Sequence, residues 1–262
     1  MSAISLARDI QAPLKIVWLR DAGLNARFSD LFNPLPEIPE ISVTMIDSTA
    51  WYFYGVPRLR NLYLPSLWQK NAFDIILNEA KLCEVIHSTS EEKLPDAVRS
   101  RLRGNVLIHT GLGFYPTDDR EFQQLFIPTE IVRALLAKKM EKIDLHTVGL
   151  HIRRTDNKQS VKHSPLTAFE SAMRADLERD PEASFYIATD DPAVFTSLNS
   201  RFPSCFCSES SPTRSTILGM QEAVAELFTL IACPRFHGSY WSSFSDTVVA
   251  CHETGTADIL FV

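Results

Sequence analysis

The sequence predicts an α/β protein built on parallel, Rossmann-like sheets, most clearly in its second half. Short β-branched runs alternate with amphipathic helical patterns, as layered α/β folds require. From residue 147 onward strand and helix alternate without interruption up to a final strand. The polar clusters are equally telling, because "HIRRTDN", "ATDDP" and "GSYWSSFS" each fall at the carboxyl end of an expected strand. Open parallel sheets bind ligands in the crevice beyond those ends, so three such clusters are expected to converge on one site.

Strands are expected at 15–19, 41–47, 105–111, 147–153, 184–190, 205–209, 235–240 and 257–262. Helix 129–143 has apolar residues at helical spacing, with Thr129 as N-cap and Pro128 just before it. Helix 164–180 is expected to start from Ser164 with Pro165 in its first position, a favoured pairing. Helix 215–232 is long and apolar enough to be largely buried. The first half is more irregular and rich in Pro and aromatics, as in "STAWYFYGVPRLRNLYLPSLW". These patterns divide the chain into domains 1–127 and 128–262, bridged by helix 129–143.

At 262 residues the chain can bury a sizeable core in one large domain or two ordinary ones. It carries 26 Lys+Arg against 32 Asp+Glu, a formal net charge of −6. That argues against a nucleic-acid partner, which needs a broad basic surface, but leaves room for a local basic pocket. No apolar run approaches the ~18 residues of a membrane span. The N-terminal "MSAISLARDIQAPLK" puts charges where a signal peptide needs an apolar core, so a cytoplasmic location is expected. Five cysteines form no C-x-x-C and no zinc spacing, and they read as reduced, mostly buried thiols.

Arg153 and Arg154 are adjacent like charges, which cost free energy unless an anion joins them. On a strand they point to opposite faces, so at its end one can enter the crevice while the other braces the loop. Two readings follow: a diphosphate clamp, since planar guanidiniums match phosphate oxygens two at a time, or an ion pair with Asp156 or Asp191. Asp191 before Pro192 reads as an N-cap with proline at the first helical position, leaving Asp190 to orient an arginine or a histidine. Ser239, Ser242, Ser243 and Ser245 lie at a strand-to-helix turn. There the exposed N–H groups of a helix start bind anions, and one serine is expected to cap the helix. His151 stands two residues before Arg153, hence on the same strand face. No G-x-G-x-x-G, G-x-x-x-x-G-K-S/T or G-x-S-x-G motif is present.

The string "VGLHIRRTDN", followed about 35 residues later by "YIATDDP" and then by "SSFS", resembles the fucosyltransferase superfamily of α1,6-fucosyltransferases and protein O-fucosyltransferases. The resemblance covers residues 100–262 well and the N-terminal part more loosely. It implies a GT-B-like fold, two Rossmann-like domains with parallel sheets facing a cleft, here with a shortened N-terminal, acceptor-side domain. It further implies that the C-terminal domain binds the nucleotide sugar, with GDP-fucose as donor substrate. No other cofactor and no metal are implied, and transfer inverts the sugar onto a glycan or polysaccharide acceptor.

Carried over residue by residue, Arg153 matches the arginine on the β-phosphate, Arg154 its supporting arginine, and His151 the histidine beside the nucleotide. Asp190 and Asp191 match the second motif, and Glu226 the guanine-reading acid. Ser242 or Ser243 matches the serine of the phosphate turn, with Ser239 beside it. The family's general-base glutamate has no counterpart in "NKQSVKHSP", which leaves Asp156 as the candidate base. A nucleotide-sugar-binding protein without turnover is the alternative. A metal-dependent transferase using Asp190 and Asp191 would be distinguished by sensitivity to EDTA.

Overall fold

The structure, a computed structural model, describes residues 1–20, 23–48, 65–88, 96–100, 102–111, 113–155, 157–207, 213–252 and 255–261. Asp156 lies outside these residues, as does most of the aromatic-rich stretch of the first half. The chain forms two compact units, one from Met1–Asp21 with Leu35–Asp119, the other from Ala22–Pro34 with Arg120–Val262. The sequence-based division at 127/128 does not separate out the 22–34 segment, whose short helix α2 packs within the second unit.

In chain order the elements are α1 (Ser2–Asp9), β1 (Leu14–Leu19), α2 (Phe28–Leu31), β2 (Val43–Ser48), α3 (Pro65–Ala72), β3 (Ile75–Asn78), α4 (Glu79–Ser88), α5 (Asp96–Arg99) and β4 (Val106–His109). Then come α6 (Phe122–Leu125), α7 (Glu130–Met140), β5 (Thr147–Ile152), α8 (Lys158–His163), α9 (Leu166–Arg179), β6 (Ser184–Thr189), α10 (Pro192–Arg201) and β7 (Cys205–Cys207). The chain continues through α11 (Ile217–Ala232), β8 (Arg235–Ser239), α12 (Ser243–Cys251) and β9 (Thr256–Leu260).

In the first unit β1 pairs with β2 and β3 with β4, both in parallel, over a core that includes Leu6, Leu77, Leu82, Leu102 and Phe114. Strand β3, "IILN", was not expected. It is four residues long and runs straight into α4, too short for a strand period to show.

The second unit is a five-stranded sheet in the order β7-β6-β5-β8-β9, with every described pairing parallel. Every residue of β5 is buried, as befits a central strand covered on both faces. Val148, Leu150 and Ile152 face one layer with Phe169 and Met173 of α9. On the other, Leu230 of α11 and Val248 of α12 pack with Phe236 of β8. From β5 the chain winds through β6 to β7, then crosses back to β8 on the opposite side of β5. This is a topological switch point, and a crevice opens beyond the carboxyl ends of β5 and β8.

Two helix starts test the capping arguments. Asp191 caps α10, accepting from the Ala193 N–H at 2.9 Å, with Pro192 first in the helix as expected. Helix α9 instead begins at Leu166 with Pro165 in the cap position. Ser164 is drawn away, its hydroxyl donating to the Leu260 carbonyl and accepting from the Tyr240 N–H. Among the described residues no helix is long and apolar enough to cross a membrane.

Candidate functional site

A cleft of about 610 Å³ lies in the second unit, where the ends of β5, β6 and β8 meet the starts of α10 and α12. It brings together His151, Arg153, Asp190, Glu226, Ser242 and Ser243. Arg154, Asp191 and Ser239 do not line it.

Arg153 follows β5 directly, and its backbone N–H donates to Ser239 Oγ at 3.0 Å. The Ser239 hydroxyl in turn donates to the His151 carbonyl at 3.1 Å. Fully buried, Ser239 fastens β8 to the end of β5 instead of offering its hydroxyl to a phosphate. That corrects its expected ligand role. The Arg153 guanidinium meets Asp190 Oδ2 through Nε at 3.2 Å.

Asp190 organises the loop. Its Oδ1 accepts from the Arg154 N–H at 2.7 Å, and Oδ2 accepts from the Thr155 N–H at 3.2 Å and the Thr155 hydroxyl at 2.7 Å. Burial alone would raise its pKa, but these hydrogen bonds and the Arg153 charge outweigh it and hold the carboxyl below its ordinary value.

Arg154 points elsewhere. Its Nη2 donates to the Ser164 carbonyl at 2.7 Å, and the guanidinium sits 5.8 Å from the centre of the Phe169 ring. Among the described residues it braces the loop through a carbonyl and an aromatic face, and partial burial lowers its pKa. Asp191 is spent on its cap. Both residues therefore support the site from outside the cleft.

His151 is buried, with its ring 4.6 Å from that of Phe244. Nδ1 lies 2.7 Å from Ser245 Oγ, which also accepts from the Ser239 N–H at 3.1 Å. Ser245 Oγ thus ties the His151 ring to the end of β8, and with two lone pairs and one hydrogen it satisfies Nδ1 in either tautomer. Gly238 makes this possible, because a Cβ there would come within 2.7 Å of Ser245. Burial, reinforced by the Arg153 charge, lowers the His151 pKa to about 4, so the ring is neutral near pH 7.

Ser242 is the N-cap of α12, yet its side chain makes no capping hydrogen bond, contrary to expectation. With Ser243 it lines the cleft, so the α12 start offers two hydroxyls and the unfilled N–H groups of a helix terminus.

Glu226 on α11 also reaches the cleft, and it belongs to a buried charged cluster. Lys139 Nζ of α7 lies 3.2 Å from its Oε2 and 3.0 Å from Glu222 Oε2. Burial raises the Glu226 pKa despite that cation. The buried Tyr186 hydroxyl lies beside Glu226, and burial together with that carboxylate's charge raises its pKa.

Among the lining residues that sequence reasoning passed over are Arg214 and Trp241. Arg214 is exposed, in the "TRST" segment leading into α11, and makes no ion pair among the described residues. A cation just before a helix that follows a strand end was the available signal. Asp190 and Glu226 are the carboxylates lining the cleft among the described residues, and both are engaged. Among the described residues no group of three or more His, Cys, Asp or Glu is placed to hold a metal ion. The five cysteines are free thiols.

No family model and no curated protein matches the sequence. Solved structures do match in fold. NodZ α1,6-fucosyltransferase soaked with GDP-fucose superposes with a TM-score of 0.64 at 17% identity, over 95% of this chain and 86% of that one. Fucosyltransferase NodZ from Bradyrhizobium, with selenomethionine, gives 0.63 at 16% identity over 97% and 86%. POFUT1 in complex with GDP gives 0.57 at 9% identity over 100% and 93%. The likeness expected from the motifs is thus found at the level of the fold, an α/β architecture with parallel sheets of the GT-B-like kind.

Proposed function

We propose that this chain is a metal-independent glycosyltransferase that transfers fucose from GDP-fucose, with inversion, to a glycan or polysaccharide acceptor. The observation that carries this reading is the cleft at the switch point of the second sheet, where Arg153, the α12 start and Glu226 line one cavity. Arg153 and the Ser242–Ser243 turn would hold the diphosphate and neutralise the charge that builds on departing GDP. Neutral His151 would set its ring beside the nucleotide without adding charge. Glu226 would accept from guanine N1–H and N2–H₂. Arg154, Asp191 and Ser239 would act indirectly, by fixing the loops that present these groups. The fold neighbours captured with GDP-fucose and GDP support the choice of nucleotide. The second unit would be the nucleotide-sugar-binding domain, the first the acceptor side.

Asp156 remains the proposed general base. A specific observation favours the alternative of a binder without turnover: the described carboxylates of the cleft, Asp190 and Glu226, are both already paired with cations. A melting-temperature panel of GDP, UDP, ADP, CDP and GDP-fucose, with and without EDTA, tests the ligand. Binding to the folded state alone must raise the melting point. GDP is expected to stabilise without added metal and UDP is not; equal shifts, or shifts only with Mn²⁺, would overturn the reading. GDP release from GDP-fucose in the presence of candidate glycans then separates the transferase from the binder.

A further inference from the structure

The β8–α12 turn holds its most conspicuous side chain in an unfavourable place. Trp241 has φ +57°, a left-handed conformation that L-residues other than glycine avoid. The residue is 64% exposed, although it lines the cleft. Two bonds from the first turn of α8 lock this geometry. Ser160 Oγ donates to the Tyr240 carbonyl at 2.6 Å, and Asn157 Nδ2 donates to the Trp241 carbonyl at 2.7 Å. Asn157 is itself fixed as the α8 N-cap, accepting from the Ser160 N–H at 3.1 Å. Glycine would take this backbone at no steric cost, and a polar residue would cover the turn without exposing an indole. Strain of this kind persists only where its surroundings impose it, and it gathers at ligand-binding sites.

We propose that Trp241 is the platform on which the pyranose ring of the nucleotide-sugar donor stacks. This rests on the reading of the cleft as a GDP-sugar site. Trp241 immediately precedes Ser242 and Ser243, the start of the helix whose N–H groups suit a phosphate. The donor sugar is one ester bond from the β-phosphate, so a phosphate held at that start leaves the sugar beside the indole. A deoxyhexose presents a face of C–H groups, and the electron-rich face of an indole attracts such hydrogens while both surfaces leave water. The Tyr240 ring centre lies 5.9 Å from that of Trp241, tilted by 45°.

Calorimetric titration of the whole protein with GDP and with GDP-fucose, for the parent, Trp241→Leu and Trp241→Phe, tests this. Trp241→Leu is expected to bind GDP within about twofold of the parent, showing that the turn is intact, and GDP-fucose about tenfold more weakly. Trp241→Phe, which keeps an aromatic face, should recover most of that loss. Unchanged GDP-fucose affinity in Trp241→Leu overturns the proposal. So does an equal loss of GDP and GDP-fucose, which would make the indole a prop for the nucleotide. A parent that binds neither ligand removes the GDP-sugar reading itself, and the platform with it.

Discussion

Arg153 Nε lies 3.2 Å from Asp190 Oδ2, so the cation at the end of the central strand is held from one edge by a carboxylate of the neighbouring strand's loop. The same carboxylate accepts from two backbone N–H groups, which fixes the loop and the arginine together. The described partner is Asp190, where the sequence-level alternative placed the pair on Asp156 or Asp191, and the diphosphate clamp belongs to the proposed function. A pair made at Nε orients the fork formed by Nη1 and Nη2.

Lysine keeps the charge at this position but cannot reproduce the fork. Charged hydrogen bonds contribute roughly 1.5–3 kcal/mol each, so Arg153→Lys should weaken GDP binding about tenfold or more. Calorimetry on the variant checks this. GDP affinity equal to the parent's would reduce the arginine to a structural partner of Asp190.

Arg154 should behave differently. Its removal leaves the Ser164 carbonyl without its donor and bares one side of Phe169. An unsatisfied buried acceptor costs about 1–3 kcal/mol, discounted here because the side chain is only half-buried. Arg154→Ala should therefore lower the melting temperature by several degrees and leave GDP affinity within a few-fold of the parent's. A variant with parental stability and lost GDP binding would place Arg154 in the cleft after all.

These two arginines mark the limit of what the sequence shows. A fully buried strand between polar ends is legible, because a parallel-sheet strand must be apolar on both faces. The Asp191–Pro192 start is legible too, because capping is local. Ser164 was misread because its hydroxyl is taken by Leu260 and Tyr240, both remote in sequence. The partner of Arg154 is the backbone carbonyl of that same serine, a group every residue carries and no side-chain pattern marks. Among the serines, Ser239 is buried in the sheet while Ser242 and Ser243 reach the cleft. That sorting depends on where α12 begins, and the left-handed turn at Trp241 sets it without any sequence period to reveal it.

His151 gives a pH dependence with a definite sign. Its folded pKa, about 4, lies below the ordinary 6.5, so the unfolded chain takes up the proton first. The contribution of the neutral ring is complete above about pH 6.5 and is lost as pH falls from there toward 4. At about 1.4 kcal/mol for each pH unit the loss amounts to roughly 3 kcal/mol. His146 acts in the opposite sense: its hydrogen bond to Asp180 raises its pKa, so its contribution is present at low pH and fades as pH rises. Denaturant titrations of the parent and of His151→Gln between pH 4 and 7 isolate the term. The stability difference between them should narrow toward pH 4, and parallel curves would exclude a buried neutral imidazole.

Glu226 offers a test of base selectivity. Glu226→Gln keeps the shape, and Lys139 retains Glu222 at 3.0 Å, so the charged cluster survives in part. An amide can present only one acceptor oxygen to the two adjacent donors of guanine. The preference for GDP over UDP should therefore fall by about tenfold or more, while the melting temperature changes little. Unchanged discrimination would show that guanine is read elsewhere, or not at all.

Arg214 closes the charge account of the cleft. A bound diphosphate brings about two negative charges, and Asp190 already offsets Arg153. Arg214 lines the same cavity from the loop before α11 and has no carboxylate partner among the described residues. Its charge is exposed, so its attraction to phosphate is screened and should amount to ~1 kcal/mol, about fivefold in affinity. Arg214→Ala should weaken GDP by that factor and leave guanosine untouched, because guanosine has no phosphate. Raising the salt concentration should narrow the gap between parent and variant as the screening length shortens. Titrations of GDP and guanosine at low and high salt decide the matter. If the two ligands lose affinity equally, or the gap ignores salt, Arg214 contributes shape and not charge.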